Sequence, residues 1–558
     1  MAMADEPQTD ASVTLRQIDW RSTFPFTLIF RSFRVAIHPS KLVLALLALL
    51  LIYLGGSFLD AIWPEAYRAT LGELTIYEQT RGASRPRDAF NTLRNRQREE
   101  QGGMLRSVLP EWHKKDGQYK DARYWIKLQR DEAVKRAWDE YNRDPKAAEA
   151  EKVRDDRIRA AYEDAADRHD IALKSRGLGL FDAFSSYEIG QVNQIMRGIR
   201  TWTWIGADSV TEGFFSLILI GPLWLAQHHY VFFTLFILWF LSVWSIFGGA
   251  IARIAAVHVA RDEKISIRQS LAFSVSKFLS FLSAPLIPLV IVGVVGLVVA
   301  AGGFLGNIPV IGPPIVGALF FLALAAGFVM TLVLLGTIGG VNLMYPTVAV
   351  EGSDSFDAIS RSFSYLYARP WRLGFYTLVG LIYGGLCYLF VRFFIYVMLW
   401  VTHFFAGLWF FYRADDGRPL FTTMWPDPFS SIHLRYSVDY FALGGAQALG
   451  AFLLWMWVSL TIAMLGAFAI SFYFSVNTVI YYLMRQEVDA TELDDVYLEH
   501  GEEEFTTDTL AGQPPAAAAS DSTSAPLTPV QTATTTAGEG TAPADAPPPA
   551  EDGAPPAT

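Results

Sequence analysis

The stretch LVLALLALLLIYLGGSFL, residues 42–59, contains no charged side chain and decides the class of the fold. As a helix with a rise of about 1.5 Å per residue, it spans most of a bilayer core that is about 30 Å thick. Trp63 follows it, where an aromatic side chain anchors a helix to the membrane interface. Residues 42–63 are therefore predicted to form the first transmembrane helix.

The residues before this run indicate a membrane anchor rather than a cleaved signal peptide. Arg16, Arg21, Arg31 and Arg34 are spread over a long first segment, whereas a signal peptide has its apolar run soon after a short basic start. Residues 1–41 are predicted to be a cytoplasmic segment with an amphipathic stretch from Phe26 to Pro39.

The composition of the whole chain also indicates a membrane protein. Of its 558 residues, 52% are hydrophobic and only 18% are charged, compared with about a quarter charged in soluble domains. The single cysteine, Cys387, excludes an intrachain disulfide and a cysteine metal site. No long basic stripe with interleaved aromatic residues is present, which argues against nucleic acid as a partner.

Five further apolar runs are predicted to cross the membrane, at residues 230–252, 283–301, 315–343, 375–411 and 441–483. The last two are too long for one simple crossing, so breaks near Arg392 and Val458 would raise the count from six to eight. Phe214–Ala226 is short and contains Gly221-Pro222, so it is predicted to be interfacial or re-entrant. The expected fold class is all-α, a polytopic helical membrane protein with about six transmembrane helices.

Residues 64–212 have the opposite composition, with 27 of the 45 Lys and Arg and 26 of the 55 Asp and Glu. Such a segment cannot lie in lipid, so it is predicted to be an inserted, extracytoplasmic, helical domain. Asp144-Pro145 offers an N-cap and a first-turn proline between two helix-forming stretches, which predicts a helical hairpin or dimer of coiled-coil type. Phe181–Trp204 has one apolar face, which fits either the membrane interface or packing on this domain.

The last section, residues 486–558, carries fifteen acidic residues and no Lys or Arg. From about Gly501 it is dominated by Ala, Pro and Thr and cannot bury a core, so the tail is predicted to be disordered. Asp489–Glu499 also holds apolar side chains, and it is interpreted either as a docking peptide or as a solvated helix end.

Arginine and lysine in the short loops predict the orientation. Both 253–277 and 361–372 are rich in these residues, so both loops are expected to face the cytoplasm. Both termini then lie in the cytoplasm, and the hydrophilic domain lies outside.

A positively charged amphipathic stretch leads directly into a span three times, at residues 26–39, 266–285 and 355–370. This arrangement indicates a parallel duplication within the membrane domain, residues 213–485. Parallel repeats occur in some transporters, which gives transport weak support.

The stretch PTVAVEGSDSFDAISRSFSYLYARPWR, residues 346–372, resembles the signature of a broad group of poorly characterised bacterial multi-pass proteins. That group includes the membrane region associated with some glycerophosphodiester phosphodiesterases. Residues 307–317, 345–372 and 489–498 together are similar to an uncharacterised bacterial family of the same layout. The resemblance implies the topology and a bacterial inner membrane, but no activity, and the phosphodiesterase catalytic domain has no counterpart here.

Few residues in the sequence are candidates for chemistry. No zinc, nucleotide-binding or nucleophile motif is present, so neither an enzyme nor a cofactor or metal site is expected. Arg392 and Asn342 are the candidate intramembrane polar residues, either lining a solute path or, for Arg392, snorkelling or pairing with an acid of the outer loop. The candidate lipid-interface residues are Arg361, Arg369, Trp371 and Arg372, either binding anionic headgroups or fixing the depth of the next span.

These features together favour a structural or accessory membrane protein that organises a complex. The hydrophilic domain and the tail would present its binding surfaces, and the expected partners are membrane lipids and a protein or a second copy. A solute permease or channel built on the repeats is the alternative. An intramembrane lipid enzyme is the third possibility.

Overall fold

The computed structural model describes residues 24–64, 67–109, 119–145, 149–175, 177–414, 418–426, 438, 440 and 443–497. Within these ranges the chain is helical and forms no strand; isolated bridges pair Ala69 with Leu178 and Arg413 with Pro419. The predicted all-α membrane fold is therefore confirmed. The predicted disordered tail beyond Tyr497 lies outside the described residues.

The helices are numbered here in chain order. Helices α1 to α7 are Ser32–Ala36, Pro39–Ile62, Glu73–Thr80, Pro86–Val108, Tyr119–Arg143, Ala150–Ser175 and Leu180–Thr201. Helices α8 to α12 are Val210–His228, Tyr230–Arg261, Ile267–Ser276, Phe278–Ser283 and Leu286–Phe304. Helices α13 to α17 are Gly312–Glu351, Ser355–Ala368, Pro370–Gly407, Leu420–Met424 and Gly445–Asp489. Short 3-10 turns lie at Pro25–Arg31 and Leu305–Asn307.

Seven helices in the described part of the chain are long and apolar enough to cross a membrane: α2, α8, α9, α12 with the turn that follows it, α13, α15 and α17. Helix α15 has 38 residues and α17 has 45, and each is continuous. The alternative of breaks near Arg392 and Val458 is therefore wrong. Neither helix has a proline beyond its first turn, so nothing interrupts the backbone hydrogen bonds.

The helix beyond the expected six is α8, which continues through Gly221-Pro222. A π turn over Ser216–Ile220 precedes the proline, so Pro222 lies in the first turn of the next helical segment. Proline has no backbone N–H to donate, and the π turn accommodates the helical hydrogen bond that is missing there. The helix therefore extends beyond the Phe214–Ala226 run on which the prediction of an interfacial or re-entrant segment was based.

Helices α7 and α8 form an antiparallel hairpin. Gly198 of α7 contacts Val210, Gly213 of α8 contacts Ile195, and Gly221 contacts Glu188. The hairpin begins beside the last turn of α2, where the Asp60 carboxylate accepts hydrogen bonds from two backbone N–H groups of α7 at 2.9 and 3.0 Å. It ends at His229, beside Glu73 of α3. Both ends therefore lie on one side of the bundle, as in a re-entrant segment.

The ends of the described chain also meet on one side of the bundle. Arg34, before α2, pairs with Asp262, just after α9, at 3.3 Å. Arg31 and Arg34 line a small cavity together with Leu493, which follows α17. Because the α7–α8 hairpin begins and ends on one side, the other six candidate helices make an even number of crossings, which brings the two ends of the described chain to the same side.

Close contact at small residues holds the centre of the bundle together. A Cβ atom at Gly384 of α15 would lie 2.6 Å from Phe472 of α17, and one at Gly380 would lie 3.0 Å from Val476. These glycines therefore let two long helices approach closely. Helix α12 and the first half of α13 contrast with this centre, because their side chains are exposed and apolar, as Leu297 (73% exposed) and Phe328 (66%) show.

Candidate functional site

Charged residues on three helices meet at one end of the bundle. The Arg361 Nε of α14 lies 2.8 Å from Glu351 at the end of α13 and 3.3 Å from Asp357. Its Nη1 lies 3.8 Å from Asp489, the last residue of α17. Burial opposes the charged form of Arg361, but the carboxylates of Glu351 and Asp357 outweigh it and raise the pKa of the guanidinium.

A second arginine and the segment after α17 extend this network. Arg485 lies 3.5 Å from Glu351 and 2.6 Å from Asp495. The backbone N–H of Tyr497 donates to the Val350 carbonyl at 2.8 Å, and Val496 is buried. The described part of the acidic stretch that starts at Asp489 therefore packs on its own chain through Val496, while the side chains of Glu492, Asp494 and Asp495 stay exposed.

Tyrosines add hydrogen bonds to the same carboxylates. Tyr365 donates to Asp489 at 2.5 Å, Tyr376 donates to Glu487, and Tyr481 donates to Glu351. Burial and the Asp489 carboxylate raise the pKa of Tyr365, so this phenol stays protonated. Each carboxylate thus joins two or more helices, which is a structural role.

Two of the four candidate lipid-interface residues pair with acidic side chains, and the other two are exposed. Arg361 is held by the carboxylates described above, and Arg372 lies 2.6 Å from Glu487. Arg369 lies exposed at the turn between α14 and α15, and the neighbouring Trp371 is 90% exposed. The structure therefore presents Arg369 and Trp371 outward, whereas two of the three arginines have acidic partners.

The candidate intramembrane polar residues are not brought together. Arg392 of α15 donates to Asn193 of α7 at 3.0 Å, and Asn342 of α13 accepts from Tyr473 of α17 at 2.6 Å. Arg253, near the end of α9, is fully buried and donates to the Ala349 carbonyl at 2.9 Å. Each of these residues contacts a neighbouring helix.

The hydrophilic domain contains an arm of two antiparallel helices, α5 and α6. Gln129 accepts from Arg168 at 2.7 Å, and Arg154 stacks on Trp138 with 4.5 Å between the guanidinium carbon and the ring centre. The apolar core of the arm is thin and consists of Leu109, Ala122, Ile126, Ala165 and Ala172. The predicted helical hairpin is present, but α6 begins at Ala150, so Asp144 and Pro145 lie before the helix and do not form its N-cap and first turn. It leaves large side chains on its surface, such as Tyr124, which is 64% exposed.

Glu73, at the start of α3, is a residue that the sequence did not single out, and it links α3 to the end of α8. Its carboxylate accepts from the Thr70 N–H at 2.7 Å and lies 3.4 Å from Trp224 and 3.3 Å from His229. Burial raises the pKa of Glu73, but the hydrogen bonds from His229 and Thr70 outweigh burial and lower it overall. No sequence motif could reveal this site because the partners are more than 150 residues apart.

A second carboxyl group that the sequence did not identify lies inside the α7–α8 hairpin. The Glu188 Oε1 atom is buried against Gly221 and has no hydrogen-bond partner. Burial raises the pKa of Glu188 to about 8. The neighbouring Tyr187 and Ser216 both donate to Glu78, at 3.3 and 3.4 Å.

Among the residues that the structure describes, no three His, Cys, Asp or Glu side chains lie close enough to hold a metal ion. No protein-family model, curated protein or solved structure matches the chain.

Proposed function

We propose that this chain is an integral inner-membrane protein of structural or accessory type that organises a membrane complex. Its extracytoplasmic arm, together with the acidic tail, presents the surfaces that bind a protein partner or a second copy. The sequence resemblance supports a bacterial source. The protein is proposed to have no catalytic activity of its own.

The observation that carries this proposal is the arm formed by α5 and α6. Its helices have 25 and 26 residues, which gives a length of about 38 Å. Its apolar core is thin, so most side chains of the two helices stay on the surface. The outer faces carry charged and aromatic side chains. Aromatic residues on a charged surface are typical of protein interfaces.

The contacts of the polar membrane residues support a scaffold rather than a permease. A solute path requires polar groups that face a common cavity, whereas Arg392, Asn342 and Arg253 each contact a neighbouring helix. Polar bonds between helices stabilise a membrane bundle. The charged loops that meet at one end of the bundle support a cytoplasmic location for that end and for both termini.

The test compares the intact protein with a variant whose arm is shortened. Replacing residues 131–164 by a short Gly-Ser turn keeps the pairing of Gln129 with Arg168 and removes the outer part of the arm. Both proteins are extracted from their native membrane in lipid nanodiscs, and bound proteins are quantified by mass spectrometry. We expect a partner at near-stoichiometric amounts on the intact protein and its loss from the shortened variant.

Point variants make the test specific. Tyr124→Ser removes an arm side chain that is 64% exposed, and Tyr67→Ser removes a side chain outside the arm with the same exposure. We expect only the first to reduce partner recovery. The same set of bound proteins on intact and shortened chains would contradict the proposal, and a retained solute without a partner would favour the permease.

A further inference from the structure

The start of α2 buries a lysine. Lys41, in the first turn of this helix, is 0% exposed, and its Nζ atom has no hydrogen-bond partner. An ammonium group has three donors, and burying it without a partner costs several kcal/mol. Fully buried lysines are therefore almost always paired. A lysine at the start of an apolar run is expected to reach the membrane surface, so this burial is not predicted from the sequence.

Two histidines beside this lysine are also incompletely bonded. The Nδ1 atoms of His38 and His258 are buried and have no hydrogen-bond partner. Their ring centres are 5.9 Å apart, and Lys41 is close enough to act electrostatically on both rings. Three polar atoms without partners therefore lie together between the start of α2 and the end of α9.

The surrounding charge is positive. Burial, Lys41 and Lys264 all lower the pKa of His38, as expected in a positive field. Arg31 and Arg34 line the adjoining cavity with His258 and Asp262. Asp262 is the acid among these side chains, and it is shared between Arg34 at 3.3 Å and the His258 Nε2 at 3.4 Å. Its single charge cannot balance the cations around it.

We propose that Lys41, His38 and His258 form a binding site for an anionic phosphate group, with Arg31 and Arg34 at its rim. Lysine commonly binds phosphate. Each Nδ1 atom without a partner can form a hydrogen bond with a phosphate oxygen, donating when the nitrogen carries a proton and accepting from a protonated phosphate when it does not. The site lies at the N-terminus of α2, a helix of 24 residues whose dipole favours a negative charge. The phosphate belongs either to an anionic lipid headgroup or to a small soluble phosphate. This inference does not depend on the proposed scaffold role.

The experiment uses the full chain in maltoside micelles, which contain no phosphate. Thermal unfolding is measured with added inorganic phosphate and, separately, with short-chain phosphatidylglycerol, against sodium chloride of equal ionic strength. Stabilisation by inorganic phosphate identifies a soluble ligand. Stabilisation by the lipid alone identifies a headgroup site. No stabilisation by either probe overturns the proposal.

The decisive variant is Lys41→Met, with Lys277→Met as its control on a lysine outside the site. Met has similar length and no charge, so without phosphate we expect Lys41→Met to unfold at a higher temperature than the wild type. Added ligand should raise the unfolding temperature of the wild type and of Lys277→Met, and at least tenfold more ligand should be needed for Lys41→Met. An equal response in all three proteins would refute the site.

A second variant keeps the test decisive if Lys41→Met does not fold. His258→Phe removes the unpartnered Nδ1 and keeps the ring volume. We expect it to retain the fold and to need several-fold more ligand for the same stabilisation. A wild-type response in His258→Phe would remove this histidine from the site and would contradict the proposal as stated.

Discussion

The Arg361 guanidinium of α14 lies 2.8 Å from the Glu351 carboxylate that ends α13. The two residues are ten positions apart, across the turn at Gly352, whose φ of 63° suits glycine. Asp489 of α17 also pairs with Arg361, so one arginine fixes the amphipathic helix α14 to two long helices. Helix α14 is thus held by ion pairs within the protein, as well as by any lipid.

Arg361→Gln should therefore destabilise the protein even where no anionic lipid is present. Arg361 is partly exposed, which limits the loss to about 1 kcal/mol of unfolding free energy. Thermal unfolding in nanodiscs of neutral lipid measures the effect. Arg369→Gln is the matched control, because this arginine lies exposed at the turn before α15. Equal stability of both variants would contradict the structural role of Arg361.

Arg369 and Trp371 remain the candidates for lipid contact. Trp371 is 90% exposed, so Trp371→Ala should reduce the binding of the protein to anionic lipid without lowering its stability. Native mass spectrometry of lipids retained after extraction checks this expectation. Retention equal to that of the wild type would leave Trp371 without a role at the interface.

Arg392→Leu tests the choice between scaffold and permease. The arginine donates to Asn193 at 3.0 Å and so links α15 to the α7–α8 hairpin. Its loss should cost about 1–2 kcal/mol of unfolding free energy, as for other polar bonds between membrane helices. Arg392→Lys, which can still donate, should recover part of that loss. Unchanged stability together with altered solute flux would instead support a permease.

Gly384 should tolerate no larger side chain. A Cβ atom there would lie 2.6 Å from Phe472, whereas nothing lies within 4 Å of a Cβ atom at Gly374 in the same helix. Gly384→Ala should therefore lower the unfolding free energy by about 1–3 kcal/mol, and Gly374→Ala should not. Phe472→Leu in the Gly384→Ala background should restore part of the stability. Equal effects of the two glycine variants would show that α15 and α17 are not closely packed.

Patterns local in sequence predicted the fold well. The apolar run of residues 42–59, the amphipathic stretch 355–370 and the junction at Asp144-Pro145 all lie where helices begin, end or pair in the structure. Each of these signals depends on neighbouring residues, which is why composition and periodicity could reveal it.

Contacts between distant residues were the part that the sequence could not supply. The partners of Arg361 include Asp489, and those of Glu73 include His229, in each case more than 120 residues away. Hydropathy gives the length of an apolar run but does not show whether its helix is continuous. The sequence therefore also allowed breaks near Arg392 and Val458, which the structure does not have. The burial of Lys41 depends on three-dimensional packing alone.

Glu188 gives the protein a dependence on pH that one variant should remove. Burial raises the pKa of this carboxyl from its ordinary value of 4.5 to about 8. Between these pH values the folded state holds a proton that the unfolded chain has released. The free energy of unfolding should therefore fall as the pH rises from about 4.5 to about 8, and this contribution should level off above that range.

Glu188→Gln replaces the carboxyl by a neutral group of the same shape and so removes this contribution. The variant should match the wild type near pH 4.5 and exceed its unfolding free energy above pH 8 by an amount on the order of a few kcal/mol. Denaturant unfolding in micelles at several pH values measures the difference, with Glu99→Gln on an exposed helix face as the control. Parallel pH profiles for all three proteins would mean that Glu188 ionises freely, because the α7–α8 hairpin would then admit water.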